Sequence, residues 1–101
     1  MARKTLYQKD LIESLKDPRE AAAYLIAAID EKDRAIFLLA LRNVAKAHGE
    51  MTSIAAKANL NRESLYRMLS KKGNPEIESL YILLRAMGLK LAVETESSRA
   101  A

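Results

Sequence analysis

The sequence predicts an all-α protein with five helices and one short β-strand at its C-terminal end. Half of the 101 residues are apolar, mostly Ala and Leu, and only five are aromatic, a composition that favours helix over strand. Apolar residues recur at helical spacing along much of the chain. Residues 51–70 also show the pattern of two short helices that meet at a sharp turn.

Composition limits the classes of function. The length fits one domain, the chain has no cysteine for a disulfide or a thiolate metal site, and His48 alone cannot hold a metal. No glycine-rich phosphate loop is present, so an enzyme is not expected, and we expect no cofactor and no metal. The longest apolar run, Ile36–Leu41, is too short to cross a bilayer, and no signal sequence precedes it. We therefore expect a cytoplasmic protein without a membrane partner.

The N-terminal region divides into an arm and the start of the domain. Residues 1–16 are mixed and polar, so we expect an arm with at most a helical turn near Lys9 to Leu15. Asp17 followed by Pro18 is typical of a helix start, because an N-cap carboxylate precedes a proline that fits the first helical position. The sequence therefore predicts a helical domain over residues 17–94, whose first helix ends near Asp30.

Four more helices follow the first. Breakers and caps predict their limits, with Gly49 and Gly88 as stops. The expected ranges are about Lys32 to Gly49, Met51 to Ala58, Arg62 to Ser70 and Ile77 to Gly88, with a basic loop at residues 71–75.

Residues 89–94 alternate apolar and other side chains, which predicts a short strand. A lone strand has no partner in an otherwise helical chain, so it favours antiparallel pairing with a second copy in a homodimer. The alternative is an extended segment that packs on the last helix. Residues 95–101 are expected to be a disordered tail.

The turn between the third and fourth helices is the most informative part of the chain. Asn59 falls where the turn needs a left-handed backbone, which Asn tolerates better than other non-glycine residues. Leu60 would fill the corner, and Asn61 is a good N-cap for the next helix. Leu65 and Leu69 would face the core, leaving a polar face outward. The sequence therefore predicts a helix-turn-helix with a recognition helix.

Positive charge is concentrated on the same segment. Residues 32–75 contain nine basic and three acidic residues, a net charge of +6, whereas the flanks together carry −2. A basic segment that contains a helix-turn-helix favours double-stranded DNA as a partner. The expected DNA-binding residues are Thr52, Ser53, Asn61, Arg62, Ser64, Tyr66, Arg67, Lys71, Lys72 and Asn74.

Each of these residues also has a simpler interpretation. The two arginines could read guanine edges, bind only phosphate, or remain solvated. Asn61 could be only a cap, and Tyr66 could be half covered by the last helix. Thr52 and Ser53 could be ordinary capping residues, and the loop lysines a solvated charge run.

Several motifs occur in an order that resembles the phage-repressor (XRE-like) helix-turn-helix family, and more narrowly the bacterial addiction module antidotes, antitoxins of HigA type. The matching pieces lie within about residues 17–91: Ala23-Tyr24-Leu25, the run Phe37 to Ala47, Met51-Thr52, Asn61-Arg62-Glu63-Ser64-Leu65-Tyr66, Gly73-Asn74-Pro75 and Leu84-Arg85-Ala86-Met87-Gly88-Leu89. Two positions depart from the family pattern: Asn59 replaces the usual turn glycine, and Ser53 stands where Gln is common.

The resemblance implies a phage-repressor-like fold and an antitoxin function. Such antitoxins neutralise a small basic toxin of RelE/HigB type, bind their operator as homodimers and repress their own operon. Residues 1–31, with six acidic and five basic side chains, would be the surface that faces the toxin. The alternatives are a solitary phage-type regulator without a toxin, or a protein-interaction module.

Overall fold

A computed structural model describes the backbone of residues 2–96 and the side chains of residues 7–96. The described part of the chain is helical and contains no strand. None of the helices within residues 2–96 is both long and apolar enough to span a membrane. The helices are α1 (Ala2–Ser14), α2 (Pro18–Asp30), α3 (Arg34–His48), α4 (Met51–Ala58), α5 (Arg62–Met68) and α6 (Ile77–Ala86).

The count of five helices is wrong for the described residues, because the expected arm forms α1. The side chain of Leu15, just beyond α1, is 1% exposed, and α1 packs against α3. This helix has neither an N-terminal acid nor a C-terminal base to mark its ends in the sequence. Tertiary contacts, and not charged residues at its ends, therefore stabilise α1.

The ends of the next two helices follow their capping residues. The Asp17 side chain accepts from the Arg19 N–H at 2.9 Å, and Pro18 occupies the first position of α2, as predicted. The start of α3 lies two residues later than expected, since Asp33 is its N-cap and accepts from the Ala35 N–H at 2.9 Å. Lys32 has φ 56° and forms the left-handed turn between the two helices.

Helix α3 lies at the centre of the fold. It packs against α1, α2 and α4, while α4 also packs against α5 and α6. The side chains of Leu38, Leu41 and Val44 are fully buried in the core together with Leu65 of α5 and Leu83 of α6. The core therefore joins the helix-turn-helix to the rest of the domain, and α3 supplies its middle layer.

One polar residue is buried inside this core. Asn43 is 5% exposed, and its side-chain amide donates to the Tyr24 hydroxyl at 2.9 Å. The Gln8 side-chain amide donates to the side-chain oxygen of Asn43 (Oδ1) at 3.2 Å. This chain of hydrogen bonds joins α1, α2 and α3 and fixes their relative positions, because an alternative packing would leave buried polar groups without partners.

The predicted strand is not present within the described residues. The Leu89 N–H donates to the Leu84 carbonyl at 2.8 Å, and no backbone pairing inside the chain follows it through residue 94. Leu89 and Leu91 pack against the core, whereas Val93 is 100% exposed. A strand needs a second strand beside it, and within one chain the segment is an extended tail. The expected disorder concerns residues that lie mostly outside the described part.

The tail forms one wall of an open apolar groove of about 510 Å³. Helix α2 supplies the opposite wall, including Ile26 and Ile29, which are 43% and 48% exposed. Phe37 and Leu84 also line the groove. Exposed apolar side chains in a concave surface are typical of a protein contact site.

Replacement of Tyr24 by Phe tests the buried hydrogen-bond chain. The Asn43 amide then loses its acceptor inside the core, so we expect the free energy of unfolding to fall by about 1–2 kcal/mol. Urea denaturation followed by circular dichroism measures the change. Tyr7→Phe is the matched control, because the Tyr7 side chain is 71% exposed. Equal losses of stability in both variants would contradict the proposed role of this hydrogen bond.

Candidate nucleic-acid interface

The corner between α4 and α5 has the predicted backbone. Asn59 adopts φ 55° and ψ 42°, the left-handed conformation, and ends α4. Its N–H donates to the Ala56 carbonyl at 3.2 Å, and the Leu60 N–H donates to the Ala55 carbonyl at 2.8 Å. These two bonds satisfy carbonyls that the end of α4 would otherwise leave open. The turn is therefore closed by backbone alone.

Helix α5 starts from a side-chain cap. The Asn61 side-chain oxygen accepts from the Glu63 N–H at 2.7 Å and from the Ser64 N–H at 3.3 Å. This arrangement confirms the predicted N-cap and commits that oxygen to the helix. The amide nitrogen of the same side chain has no partner within residues 7–96.

One side of the corner is buried and the other faces solvent. Ala55 and Ala58 are each 4% exposed where the helices cross, and Leu65 and Leu69 are fully buried. The outward side chains of α5 are all exposed: Arg62, Glu63, Ser64, Tyr66 and Arg67. At 52% exposure, Tyr66 is available for contact rather than covered by the last helix.

The start of α4 lies beside the start of α5. The Arg62 guanidinium donates to the Thr52 hydroxyl at 3.2 Å, so this hydrogen bond joins the first turns of the two helices. Thr52 and Ser53 are exposed, and the N-cap residue Glu50 makes no side-chain bond to the helix. The backbone N–H groups of this first turn therefore remain available to an outside acceptor.

The loop beyond α5 exposes its polar side chains around one tightly packed glycine. Lys71, Lys72 and Asn74 are exposed, as predicted. Gly73 is buried, and a Cβ atom placed on it would collide with the Met68 carbonyl group. Its N–H donates to the Ser70 carbonyl at 2.9 Å. The loop can fold back on α5 only because residue 73 lacks a side chain.

Sequence reasoning missed the residue that fixes the other end of α5. The half-buried Arg42 of α3 donates a guanidinium hydrogen bond to the Leu69 carbonyl, at the C-terminal end of α5. A cation at that position also interacts favourably with the helix dipole. This contact could not be predicted from the sequence, because its two partners lie 27 residues apart and no local pattern marks it.

The cations of this surface are not neutralised by the protein itself. The ion pair found among residues 7–96 joins Lys16 and Glu13, at 2.9 Å, and none of the nine basic residues of the 32–75 segment takes part in it. No group of three acidic or histidine side chains within the described residues could hold a metal ion. The exposed basic side chains of this surface therefore keep a net positive charge that no ion pair offsets, which suits phosphate.

The structure brings the expected DNA-binding residues onto three adjacent pieces of chain. Thr52 and Ser53 lie on the first turn of α4, and Asn61 caps α5, which carries the next four of these residues. The remaining three lie on the loop that follows. All ten side chains are solvent-exposed. The half-buried Arg42 and the buried Gly73 hold the end of α5 and the loop in place, and the sequence analysis assigned this role to neither residue.

Comparison with known proteins gives a family. Residues 5–95 match the model of a family described as "Probable addiction module antidote protein". A protein of Haemophilus influenzae, described as uncharacterized, is 33% identical over 85 residues, which cover 84% of this chain and 87% of that protein. No solved structure matches the chain.

Replacement of Gly73 by Ala tests the tight loop. The new methyl group must displace the backbone at Met68, so we expect the free energy of unfolding to fall by about 1–3 kcal/mol. Asn74→Ala, on the neighbouring exposed residue, is expected to change stability by less than about 0.5 kcal/mol. Urea denaturation compares the two variants, and equal stability would show that the loop does not need the glycine.

Proposed function

We propose, because this chain belongs to the family of probable addiction module antidote proteins, that it is an antitoxin that also represses its own operon. An antidote acts by binding its toxin, so the chain is not an enzyme. The proposed partners are operator DNA, a second copy of the chain and a toxin of RelE/HigB type, all in the cytoplasm.

The geometry of the α4–α5 corner supports DNA binding. One exposed surface combines a turn closed by backbone hydrogen bonds, a helix with a side-chain N-cap, and basic side chains that form no ion pair. We assign base reading to Arg62, Ser64, Tyr66 and Arg67, and phosphate binding to Thr52, Ser53, Asn61, Lys71, Lys72 and Asn74. The hydrogen bond between Arg62 and Thr52 places the Arg62 guanidinium between the proposed base-reading residues and the proposed phosphate-binding residues. From there it can contact either a base or a phosphate.

Residues 89–94 are the proposed pairing segment of the homodimer. Their backbone groups make no hydrogen bond inside the described chain beyond that of Leu89, so they are open to a second strand. Antiparallel pairing about a two-fold axis can set Lys90 opposite Glu94 of a second copy and Leu91 opposite its Val93. This register joins opposite charges on one face and apolar side chains on the other.

The toxin is proposed to bind the N-terminal part of the chain. Within residues 7–31, large apolar side chains are exposed at Tyr7 of α1 and at Ile26 and Ile29, and the last two lie on the α2 wall of the groove. Residues 17–31 contain four acidic side chains and one basic. An apolar groove with acidic surroundings is complementary to a small basic protein.

Alanine substitutions in α5 test the DNA-binding assignment. Arg62→Ala and Arg67→Ala are each expected to weaken binding to the DNA upstream of the gene by about 1–3 kcal/mol, with relaxed specificity at one base position. Lys71→Ala is expected to weaken binding to all DNA sequences alike. The slope of the logarithm of the binding constant against the logarithm of the salt concentration should become shallower by about one. Fluorescence anisotropy with labelled duplexes at several salt concentrations measures these effects.

The control for lost charge is Arg19→Ala, because Arg19 is exposed on α2, outside the basic segment. It is expected to leave DNA affinity nearly unchanged. If all three arginine variants bind as the unmodified protein does at physiological salt, the assignment of base reading to α5 is wrong.

Co-expression tests the antitoxin function. We expect a small basic protein encoded beside the gene to co-purify with the chain and to stop growth when expressed alone. Ile26→Asp with Ile29→Asp should abolish both co-purification and rescue while leaving DNA binding intact, since neither residue lies in the corner. Ala27→Asp, an exposed neighbour, is the control. DNA binding without any toxin partner would instead indicate a solitary regulator, and partner binding without DNA binding an interaction module.

A further inference from the structure

Glu63 places an acidic side chain in the middle of a basic surface. Residues 32–75 contain nine basic side chains and three acidic ones, which are Asp33, Glu50 and Glu63. Of these three acids, Glu63 lies on the first turn of α5, between two residues to which base reading is assigned. A carboxylate repels phosphate, so at this place it lowers the affinity for any DNA backbone that it approaches. Either a structural role or a role in recognition must offset this cost.

Among residues 7–96, no other side chain pairs with the Glu63 carboxylate. Arg67 follows it by four residues, the favourable order for an ion pair on a helix, yet the two form none. The Arg62 guanidinium donates to the Thr52 hydroxyl instead. The cap of α5 comes from Asn61, and Glu63 takes part in it only through its backbone N–H, at 2.7 Å. The carboxylate is therefore exposed and open to an outside donor.

The backbone of Glu63 is nevertheless held in place. The Asn61 cap fixes its N–H, and the buried side chain of Leu65 anchors the same turn of helix in the core. Glu63 and Arg67 lie on the same side of α5, about 6 Å apart along the axis. Stacked base pairs are about 3.4 Å apart, so this distance spans about two base-pair steps. Glu63 is therefore placed to meet a base pair close to the one that Arg67 reaches.

The major groove offers one good partner to a carboxylate. An ionised carboxylate only accepts hydrogen bonds. Guanine and thymine present acceptors on the edge that faces this groove, whereas cytosine presents its N4 amino donor. Adenine presents a donor at N6, but the acceptor N7 lies beside it and repels a carboxylate. A C·G base pair is therefore the favoured partner.

We propose that Glu63 is a specificity-determining residue, which accepts a hydrogen bond from N4 of one cytosine in the major groove. Elsewhere the same carboxylate is repelled by phosphates and by acceptor atoms of the wrong bases. It therefore lowers the affinity for other sequences more than the affinity for the operator, which raises the ratio between the two. This inference rests on the proposed function, because it requires α5 to lie in the major groove of operator DNA.

Selection from randomised DNA tests the proposal without knowledge of the operator. The unmodified chain and Glu63→Gln are each mixed with a synthetic pool of randomised duplexes, and the bound duplexes are sequenced. Glutamine keeps the shape of the side chain but pairs with N6 and N7 of adenine. We expect Glu63→Gln to replace cytosine by adenine at one position and to leave the other positions unchanged. Fluorescence anisotropy with two duplexes that differ only at this base should show a preference of roughly tenfold that reverses in the variant.

Glu50→Gln is the matched control. Glu50 is an exposed acid at the start of α4, and its side chain makes no bond to that helix. Both glutamine variants remove one negative charge from the same surface, so both should bind random DNA more tightly at low salt. Only Glu63→Gln should change a base preference. Glu63→Ala, whose side chain cannot accept a hydrogen bond, should lose the preference for cytosine without gaining one for adenine.

A purely structural role of Glu63 gives a different result. If the carboxylate only stabilises the first turn of α5 through the helix dipole, Glu63→Gln lowers the urea midpoint and weakens binding to all sequences alike. That result, or an unchanged preference for cytosine, overturns the proposal and leaves operator binding intact. So does a changed position that lies more than about three base pairs from the one altered by Arg67→Ala. If the unmodified chain enriches no sequence at all, the proposed operator binding fails as well.

Discussion

The left-handed backbone at Asn59 is the constraint on which the candidate DNA-binding surface depends. With φ 55° at this one residue, α4 ends and α5 leaves in a new direction after only three residues. Asn adopts this conformation at a smaller cost than other residues with a Cβ atom, although glycine would adopt it freely. The direction of α5 decides which of its side chains face solvent. The exposure of Arg62 and Arg67 on one surface is therefore a consequence of the turn.

Helix α5 is too short to be stable on its own. It has seven residues, about two turns, whereas isolated helices in water need roughly 12–15 residues to persist. Contacts with residues outside the helix supply the stability that so short a helix lacks by itself. The Asn61 cap holds the first turn, the Arg42 guanidinium holds the last, and Leu65 is anchored in the core. A helix held at both ends and on one side keeps the backbone of its exposed residues in place, which would reduce the entropy lost in the proposed binding to DNA.

The sequence predicted the features that local chemistry determines. The start of α2 at Asp17-Pro18, the turn at Asn59 and the cap at Asn61 each depend on residues within three positions of one another. The missed features depend on distant partners. Helix α1 is held by contacts with α3, as in the bond from Gln8 to Asn43 across 35 residues, and the end of α5 is held by Arg42 across 27. The expected strand at residues 89–94 is not formed within the described chain, because alternation records which side chains are apolar and not whether a partner strand is present.

The surfaces proposed for DNA and for toxin are built from different parts of the chain. The groove residues come from α2, Phe37 and residues 84–96, and none belongs to the 49–75 segment that contains the corner and its loop. A basic toxin in the groove adds positive charge to the complex, yet that charge attracts phosphate only over about 8 Å at physiological salt. The molecule measures 39 × 37 × 25 Å, so charge alone couples distant sites on it weakly. A strong effect of toxin on DNA affinity would therefore have to arise from geometry: a changed spacing between two α5 helices, or a toxin large enough to block the duplex.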